Sequence, residues 1–342
     1  MNRDKSTITQ KLSDNKTFSE QYDGWAYIKF WLKIYWNYYK TDRKLKQTLK
    51  KKICYYGPFK GEFGHFTAHT LPFLMYLHSK GVKIIYCGMA LHKPFLVNEK
   101  KESIIYDYRP LRDFFAEVAP NSNSTIPPED VRHKIIEFEK EATGSGYPFW
   151  NIGDNYYYWF IHRNWLLKGP YTKTYDLEKA YKTNDELSVC VFPRSKGAAA
   201  SSNNGQPWDY DELINLIKPY FDKVYITGHP SQSLSLKSEG NVELCITSDN
   251  SMILEKLANS KLIITQHSGI NNVGEYTNTK VLIIYKGGQK ISDIGSIFNT
   301  FRFRTSLGNK HKLSFAFHME EVVKFVKDYT EEYQKTRNKK YL

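Results

Sequence analysis

The chain has 342 residues, a length for which two domains are the natural expectation. Its 41% hydrophobic and 25% charged residues are typical of a folded globular protein and exclude a disordered or collagen-like chain. Because no run of about 18 apolar residues is present, the sequence predicts no membrane-spanning helix.

The formal net charge of +13 is unevenly distributed along the chain. Residues 1–52 hold thirteen Lys and Arg but five Asp and Glu, and so carry more than half of the excess. A basic excess favours polyanions, which include nucleic acid, an anionic membrane surface and phosphorylated substrates. We expect no nucleic-acid partner, because no helix-turn-helix, zinc-finger or RNP-like motif is found.

The first predicted element is a helix in the segment "YDGWAYIKFWLKIYWNYYK". Its apolar residues share one face of a helical period and are Trp25, Ile28, Leu32, Tyr35 and Trp36. Two interpretations stay open for this face. It packs against the rest of the protein, or it binds an anionic membrane surface through residues 22–52, with the flanking lysines facing the lipid headgroups.

A βαβ unit is predicted next. "KICYYG" has the pattern of a strand, "HFTAHTLPFLMYLHSKG" that of a helix ending at Gly81, and "VKIIYCG" that of a second strand. A crossover helix implies that the two strands are parallel. The loop between them has glycines at 57, 61 and 64, which is not the GxGxxG spacing of a dinucleotide site. Residues 88–150 are less clear, apart from a helix in "PPEDVRHKIIEFEKEATGSG".

The second half repeats the alternation after a polar linker at residues 172–186. Predicted strands are "LSVCVFPR", "KVYITG", "VELCIT", "KLIITQHSG" and "KVLIIYKGG". Predicted helices are "DYDELINLIKPYF", "SMILEKLANS", "INNVGEYTN" and the long tail "FAFHMEEVVKFVKDYTEEYQKTR". Apolar runs without alternation are expected of strands that are covered on both faces of a sheet.

The four cysteines lie inside apolar runs, at Cys54, Cys87, Cys190 and Cys245. They lack the paired spacing of metal-binding cysteines, so we predict buried strand thiols and no metal site. Buried free thiols and a polar N-terminus are typical of a cytoplasmic protein, here with peripheral membrane association as an open alternative.

Three segments resemble the GT-B glycosyltransferases, and among them the lipopolysaccharide heptosyltransferases, which use ADP-heptose. "KGEFGHFTAHTLPFL" is similar to the "GD…HTLP" opening of that family. "GQPWDYDELINLIKPYFDKVYITGHPSQ" is similar to its Trp-led helix and the strand that follows. "SMILEKLANSKLIITQHSGINNVGEYTNTKVLIIYKG" resembles the stretch around its D-[ST]-G turn.

The resemblance implies an α/β fold of two Rossmann-like domains facing across a cleft, with an aromatic, basic N-terminal helix and a long C-terminal helix added. Residues 53–175 would form the acceptor domain and residues 187–318 the nucleotide-sugar donor domain. Residues 1–52 form the N-terminal extension and residues 319–342 the C-terminal helix. The implied activity is inverting, metal-independent transfer of a sugar from a nucleotide sugar to a glycan or glycolipid. The nucleotide sugar is a substrate, and no cofactor is expected.

For the base that takes the acceptor proton, Glu62 stands where the family has an Asp after the first glycine of the loop. A carboxylate near a helix N-terminus is favoured in its charged form and is therefore available as a base. A second role stays open for Glu62, as a cap of the helix that begins near His65. His65 is the alternative base, because imidazole titrates near neutrality.

For the leaving diphosphate, Arg194 and Lys196 follow the first strand of the second half. Cations at this carboxyl end would offset the developing negative charge. His267, Ser268 and Gly269 stand where the family has D-[ST]-G. Free N–H groups at such a strand-to-helix turn can bind an anion.

Weaker expectations concern three further residues of the second half. Gly228 ends another strand of the same sheet and is predicted to border the nucleotide. Asn271 is expected to add an amide donor, and Glu275 to bind a sugar or ribose hydroxyl. Two other functions stay open, namely a two-Rossmann nucleotide-sugar epimerase and a non-enzymatic polyanion-binding protein.

Overall fold

The computed structural model describes residues 24–60, 63–114, 127–151, 175–193, 208–228, 237–266, 269–285 and 313–339. These residues belong to two compact units, and the division along the chain falls between Tyr175 and Asp176. Each unit is built around one parallel β-sheet with helices packed on it.

The first unit begins with a helix of 28 residues, α1 (Gly24–Lys51). The C-terminal half of α1 packs on the unit through three buried side chains, Thr41, Leu45 and Thr48. Trp150 donates its ring N–H to Thr48 Oγ1 over 3.0 Å, which ties the helix to the sheet. In the described part of the chain, no helix is both long enough and apolar enough to cross a membrane.

The sheet of the first unit has four strands, β1 (Ile53–Phe59), β2 (Lys83–Met89), β3 (Asp107–Leu111) and β4 (Phe149–Trp150). Their order is β3-β2-β1-β4, and all three pairings are parallel. The predicted βαβ unit is therefore confirmed. The sequence does not predict strands β3 and β4, because β4 has two residues and β3 has one buried residue among its five.

The crossover from β1 to β2 is helical but irregular. It starts with Phe63–His65, passes through a π-helical turn at Phe66–Thr70, and continues as α2 (Leu71–Ser79). Pro72 has no N–H to donate, so one α-helical hydrogen bond is missing here, which favours the wider turn. A further helix of the unit, α3 (Glu129–Gly144), follows Pro128 as the sequence predicts.

Alternate residues of β1 point to opposite faces of the sheet, and each face has its own helix. Tyr55 packs with Phe138 of α3, at a ring-centroid distance of 5.7 Å. The next residue, Tyr56, packs with Phe73 of α2 at 5.5 Å. The sheet is thus covered on both sides, which explains its nearly unbroken apolar strands.

Gly57 allows β1 and β2 to approach closely. Its φ is +124°, and a Cβ atom at this position would overlap the carbonyl oxygen of Cys87. Only glycine meets both demands without strain.

The second unit contains six parallel strands, β5 (Ser188–Phe192), β6 (Lys223–Gly228), β7 (Val242–Ile246), β8 (Leu262–Gln266), β9 (Lys280–Ile284) and β10 (Leu313–Ala316). Their order is β10-β9-β8-β5-β6-β7. Counted from β5, this is the order 3-2-1-4-5-6 of a Rossmann sheet. The first five strands confirm the prediction from the sequence.

The described residues of this unit include the helices α4 (Leu177–Tyr181), α5 (Tyr210–Ile217), α6 (Asn250–Asn259), α7 (Val273–Tyr276) and α8 (Met319–Lys339). Asp side chains at 176, 209 and 249 accept a hydrogen bond from the first turns of α4, α5 and α6. The C-terminal helix was predicted to include Phe315 and Ala316. These residues instead form β10, since they pair with Ile283 and Ile284 of β9.

The predicted linker contains α4, which Asn259 at the end of α6 holds in place. The side-chain oxygen of Asn259 accepts from the backbone N–H groups of Thr183 and Asn184, over 2.8 and 2.9 Å. Its amide donates to the carbonyl of Glu255 over 2.8 Å. This buried amide therefore satisfies polar groups of two segments at once.

All four cysteines are free and buried, as predicted. They lie in β1, β2, β5 and β7. Burial raises the pKa of Cys54, Cys87 and Cys190 to about 12, so these thiols stay protonated at neutral pH.

Candidate functional site

The strand order of the second sheet reverses between β5 and β8. Phe192, the last residue of β5, pairs with Thr265 of β8, and Thr265 Oγ1 donates to the Phe192 carbonyl over 3.3 Å. The next strands along the chain, β6 and β9, lie on opposite sides of this pair. Open α/β sheets bind their ligands at such a point.

Two pairs of predicted donor-binding residues follow these strand ends in the sequence. Arg194 and Lys196 follow β5, and His267 and Ser268 follow β8. These four residues lie outside the described part of the chain, and their contacts stay predictions. The pairing of β5 with β8 nevertheless brings the two segments out of the sheet at neighbouring points, although they are more than 70 residues apart in sequence.

The polypeptide re-enters the described structure at Gly269. A 3₁₀ turn, Gly269–Asn272, leads into the four-residue helix α7. Asn271 is fully buried and Glu275 is 6% exposed. Both elements are short, so the summed helix dipole is small, and individual backbone N–H groups are the main anion donors available here.

Glu275 lies close to the buried phenol of Tyr276. Burial, with a further contribution from the Glu275 carboxylate, raises the pKa of Tyr276 well above its ordinary value. The segment therefore buries polar side chains, Asn271 and Glu275, among apolar ones such as Ile270 and Val273.

Gly228 is the last residue of β6, which lies beside β5 on the side away from β8. It is buried and pairs with Ile246 of β7. The preceding residue, Thr227, lies 3.0 Å from Cys190 of β5, measured from hydroxyl oxygen to sulfur. Gly228 is thus at the same edge as the β5 and β8 ends, one strand from the reversal.

Sequence reasoning missed a buried polar pair at this edge. Gln266 ends β8 and is 3% exposed, and its side-chain oxygen accepts from the hydroxyl of Tyr210 over 3.0 Å. Tyr210 is the first residue of α5, so the pair ties the β8 end to the helix that follows the β5 loop. A polar residue closing the otherwise apolar run "KLIITQ" was the signal available in the sequence.

In the first unit, β1 lies between β2 and β4, and the order reverses there in the same way. Glu62 follows the end of β1 by three residues and lies outside the described part of the chain. His65 belongs to the short helix Phe63–His65, and only its backbone is described. The strand β1 therefore ends at the carboxyl edge of this sheet a few residues before both candidate bases, whose roles stay predictions.

A cluster of aromatic rings packs beside this loop around His92, which sequence reasoning also missed. The His92 ring stacks on Phe66 with centroids 3.9 Å apart and planes 4° apart. Phe59 and Phe63 contact it at 5.5 and 6.4 Å. His92 is fully buried, and its ring nitrogens have no hydrogen-bond partner within the described structure.

Burial lowers the pKa of His92 to about 3, so the imidazole is neutral at physiological pH. An imidazole without a charge or an exposed nitrogen cannot exchange protons with a substrate. We therefore assign His92 a structural role in the packing of this aromatic cluster, rather than a catalytic role.

The described residues contain no group of three or more His, Cys, Asp or Glu that could hold a metal ion. Several of the cations described in the second unit are paired with carboxylates. Lys256, for example, lies 2.7 Å from a carboxylate oxygen of Glu243 and above the ring of Tyr225.

The two units are α/β structures with parallel sheets, and solved glycosyltransferase structures are similar to the chain. No protein-family model matches the sequence, and no curated protein matches it.

Three of the similar structures are bacterial. ADP-heptose lps heptosyltransferase II of E. coli is 11% identical, with a TM-score of 0.47, over 82% of this chain and 99% of that one. E. coli heptosyltransferase WaaC with ADP is 11% identical, with a TM-score of 0.47, over 82% and 98%. A glycosyl transferase family 9 protein of Veillonella parvula is 12% identical, with a TM-score of 0.47, over 80% and 88%.

Proposed function

We propose that the protein is a glycosyltransferase that moves a sugar from a nucleotide-sugar donor to a glycan or glycolipid acceptor. The observation that carries this proposal is the strand reversal between β5 and β8. The strand that precedes Arg194, β5, and the strand that precedes His267-Ser268-Gly269, β8, end side by side in a Rossmann sheet, which supports a shared donor site. The order of the motifs quoted above supports the same activity.

In this proposal the second unit binds the donor. Arg194 and Lys196 supply the positive charge that stabilises the leaving diphosphate. Ser268 and the backbone at Gly269 donate hydrogen bonds to the phosphate oxygens, and Asn271 adds an amide. Gly228 borders the nucleotide, and Glu275 accepts a hydrogen bond from a sugar or ribose hydroxyl.

We further propose that the first unit supplies the base. Glu62 takes the proton of the acceptor hydroxyl, and His65 is the alternative. The transfer is inverting, since one base and one displacement suffice. It needs no metal, because the fixed cations of the donor site offset the charge on the diphosphate.

Donor binding can be tested by thermal denaturation of the full chain with ADP-, GDP-, UDP- and CMP-sugars, with and without EDTA. At least one donor should raise the Tm, and EDTA should not remove the effect. The double variant Arg194→Ala, Lys196→Ala should lose the shift. The control Lys324→Ala, Lys327→Ala removes the same charge from exposed positions of α8 and should keep it. If no donor stabilises the wild-type protein, the proposal fails.

The base is tested separately, with the donor identified in that screen. Glu62→Gln should lower kcat by about 10²–10⁴-fold while leaving the donor-induced Tm shift unchanged. If Glu62→Gln retains activity and His65→Gln loses it, His65 is the base. NMR of the product should show the anomeric configuration opposite to that of the donor, and retention would contradict an inverting transfer.

The same NMR experiment separates the main competing enzyme class. An epimerase would change the configuration of the donor sugar without any acceptor, whereas a transferase leaves that sugar unchanged apart from slow hydrolysis. A change in the configuration of the donor sugar in the absence of acceptor would therefore contradict our proposal and identify an epimerase.

A further inference from the structure

Helix α1 carries an exposed aromatic face. Among the described residues, eleven large hydrophobic side chains are exposed, and six of them belong to this helix. These six form the aromatic face of α1: Trp25, Ile28, Leu32, Tyr35, Trp36 and Tyr39. Trp25 is 74% exposed and Leu32 is 61% exposed. Contiguous exposure on this scale marks an interaction surface rather than scattered surface residues.

The aromatic face lies on one side of the helix and the packed residues on the other. At about 100° per residue, its six members fall on a single stripe roughly 20 Å long. Thr41, Leu45 and Thr48, which pack on the first unit, fall on approximately the opposite side. The helix is therefore attached to the first unit through the side that carries Thr41, Leu45 and Thr48, and the six side chains of the aromatic face are exposed.

Basic side chains border this stripe. Lys29, Lys33 and Lys40 are exposed along one margin, and Lys40 Nζ lies 5.1 Å above the ring of Trp36. Arg43, Lys46 and Lys50 continue the line of the stripe towards the C-terminus of the helix and are exposed as well. The whole of α1 contains eight Lys and Arg residues and one acidic residue.

An aromatic stripe with a basic border fits some binding partners better than others. A second copy of α1 would place two strongly basic surfaces against each other, which costs free energy unless counter-charges are present. An anionic lipid surface is complementary, because its headgroups neutralise the lysines while Trp, Tyr and Leu enter the boundary with the acyl chains. Helices that lie in a membrane interface have this division between an aromatic and a basic part.

We propose that α1 lies flat on an anionic phospholipid surface, with its aromatic face inserted at the headgroup level and its lysines in contact with the phosphates. This docking does not depend on the proposed enzymatic activity. In combination with that activity, it would bring the first unit to a membrane-borne acceptor.

The test is flotation of the full-length protein with vesicles of phosphatidylcholine alone and of phosphatidylcholine mixed with phosphatidylglycerol. The wild type should float with the mixed vesicles, release at high salt, and shift its Trp fluorescence to shorter wavelength. The double variant Leu32→Glu, Trp36→Glu should reduce binding by more than about tenfold, because it places charge in the inserted face. Lys29→Gln, Lys33→Gln should reduce binding to the mixed vesicles several-fold.

The matched control is Tyr106→Glu, Ile136→Glu, which changes two side chains that are 64% and 62% exposed elsewhere in the first unit. This control should bind as the wild type does, and circular dichroism should show all variants to be folded. Equal binding by the aromatic-face variant, or equal binding to neutral vesicles, would overturn the proposal. So would a wild-type dimer that becomes monomeric in the aromatic-face variant, since the face would then join two copies. A donor-induced Tm shift that persists in the variant separates loss of docking from loss of the donor site.

Discussion

The buried ring of His92 should make the stability of the protein sensitive to mild acid. In the folded protein its pKa is lowered to about 3, against an ordinary value of 6.5 in the unfolded chain. Below pH 6.5 the unfolded chain takes up a proton that the folded protein does not, so acid favours unfolding. The contribution of neutral His92 is fully present above pH 6.5 and is lost progressively as the pH falls towards 3.

The size of the effect follows from this difference in proton binding. Between about pH 7.5 and about pH 5, protonation of one unfolded-state histidine lowers the free energy of unfolding by about 2 kcal/mol. His92→Phe removes the titrating group and keeps an aromatic ring to stack on Phe66. The free energy of unfolding of the variant, relative to that of the wild type, should therefore rise by about 2 kcal/mol over this pH interval.

Urea denaturation of both proteins at the two pH values measures this double difference, because all other titrating groups are common to the pair. His92→Leu is a second variant without a titrating group. Its smaller side chain should lower stability at both pH values, but the pH-dependent part should match that of His92→Phe. If the difference between wild type and variant is the same at both pH values, His92 is protonated in the folded state or reached by solvent, and the reasoning is refuted.

Three further predictions concern single contacts. Gly57→Ala should lower the free energy of unfolding by about 3 kcal/mol or more, since the new Cβ overlaps the carbonyl of Cys87. Gly81 also has a positive φ but faces open space, so Gly81→Ala should lower the free energy of unfolding by about 1 kcal/mol in the same urea denaturation assay. Asn259→Ala leaves two backbone N–H groups of residues 183–184 without an acceptor and should cost about 2–4 kcal/mol, whereas Asn259→Asp, which keeps the acceptor, should cost less. Tyr210→Phe removes the hydrogen bond to the glutamine that ends β8 and should weaken donor binding several-fold at a stability cost of about 1 kcal/mol; unchanged titration of the donor would show that this pair does not position the site.

Much of the fold could be predicted because it follows from local pattern. The apolar runs that form β1, β2, β5, β6, β8 and β9 are buried on both faces, so their sequences lack the alternation of apolar and polar residues and are recognised as unbroken apolar runs. The Asp residues before α5 and α6, and Gly81 after α2, mark helix ends through bonds to near neighbours. The sequence did not predict β3, β4 and β10, because these segments are strands only through pairing with a neighbouring strand.

The direction in which the aromatic face of α1 points cannot be predicted from local sequence pattern. Its periodicity in the sequence predicts an amphipathic helix and leaves open whether that face packs inward. In the structure, the inward residues are the less conspicuous Thr41, Leu45 and Thr48, and Trp25 and Trp36 face outward. Periodicity identifies a face, but the partner of that face is chosen by the rest of the fold.

The candidate site divides in the same way. Local pattern is enough to predict that Arg194 follows a strand and that Ser268 lies in a strand-to-helix turn, because both predictions depend on neighbouring residues. That the two strands concerned, β5 and β8, lie side by side at the reversal of the sheet is seen in the folded structure alone. Strand order depends on pairing between distant segments, which no local pattern encodes.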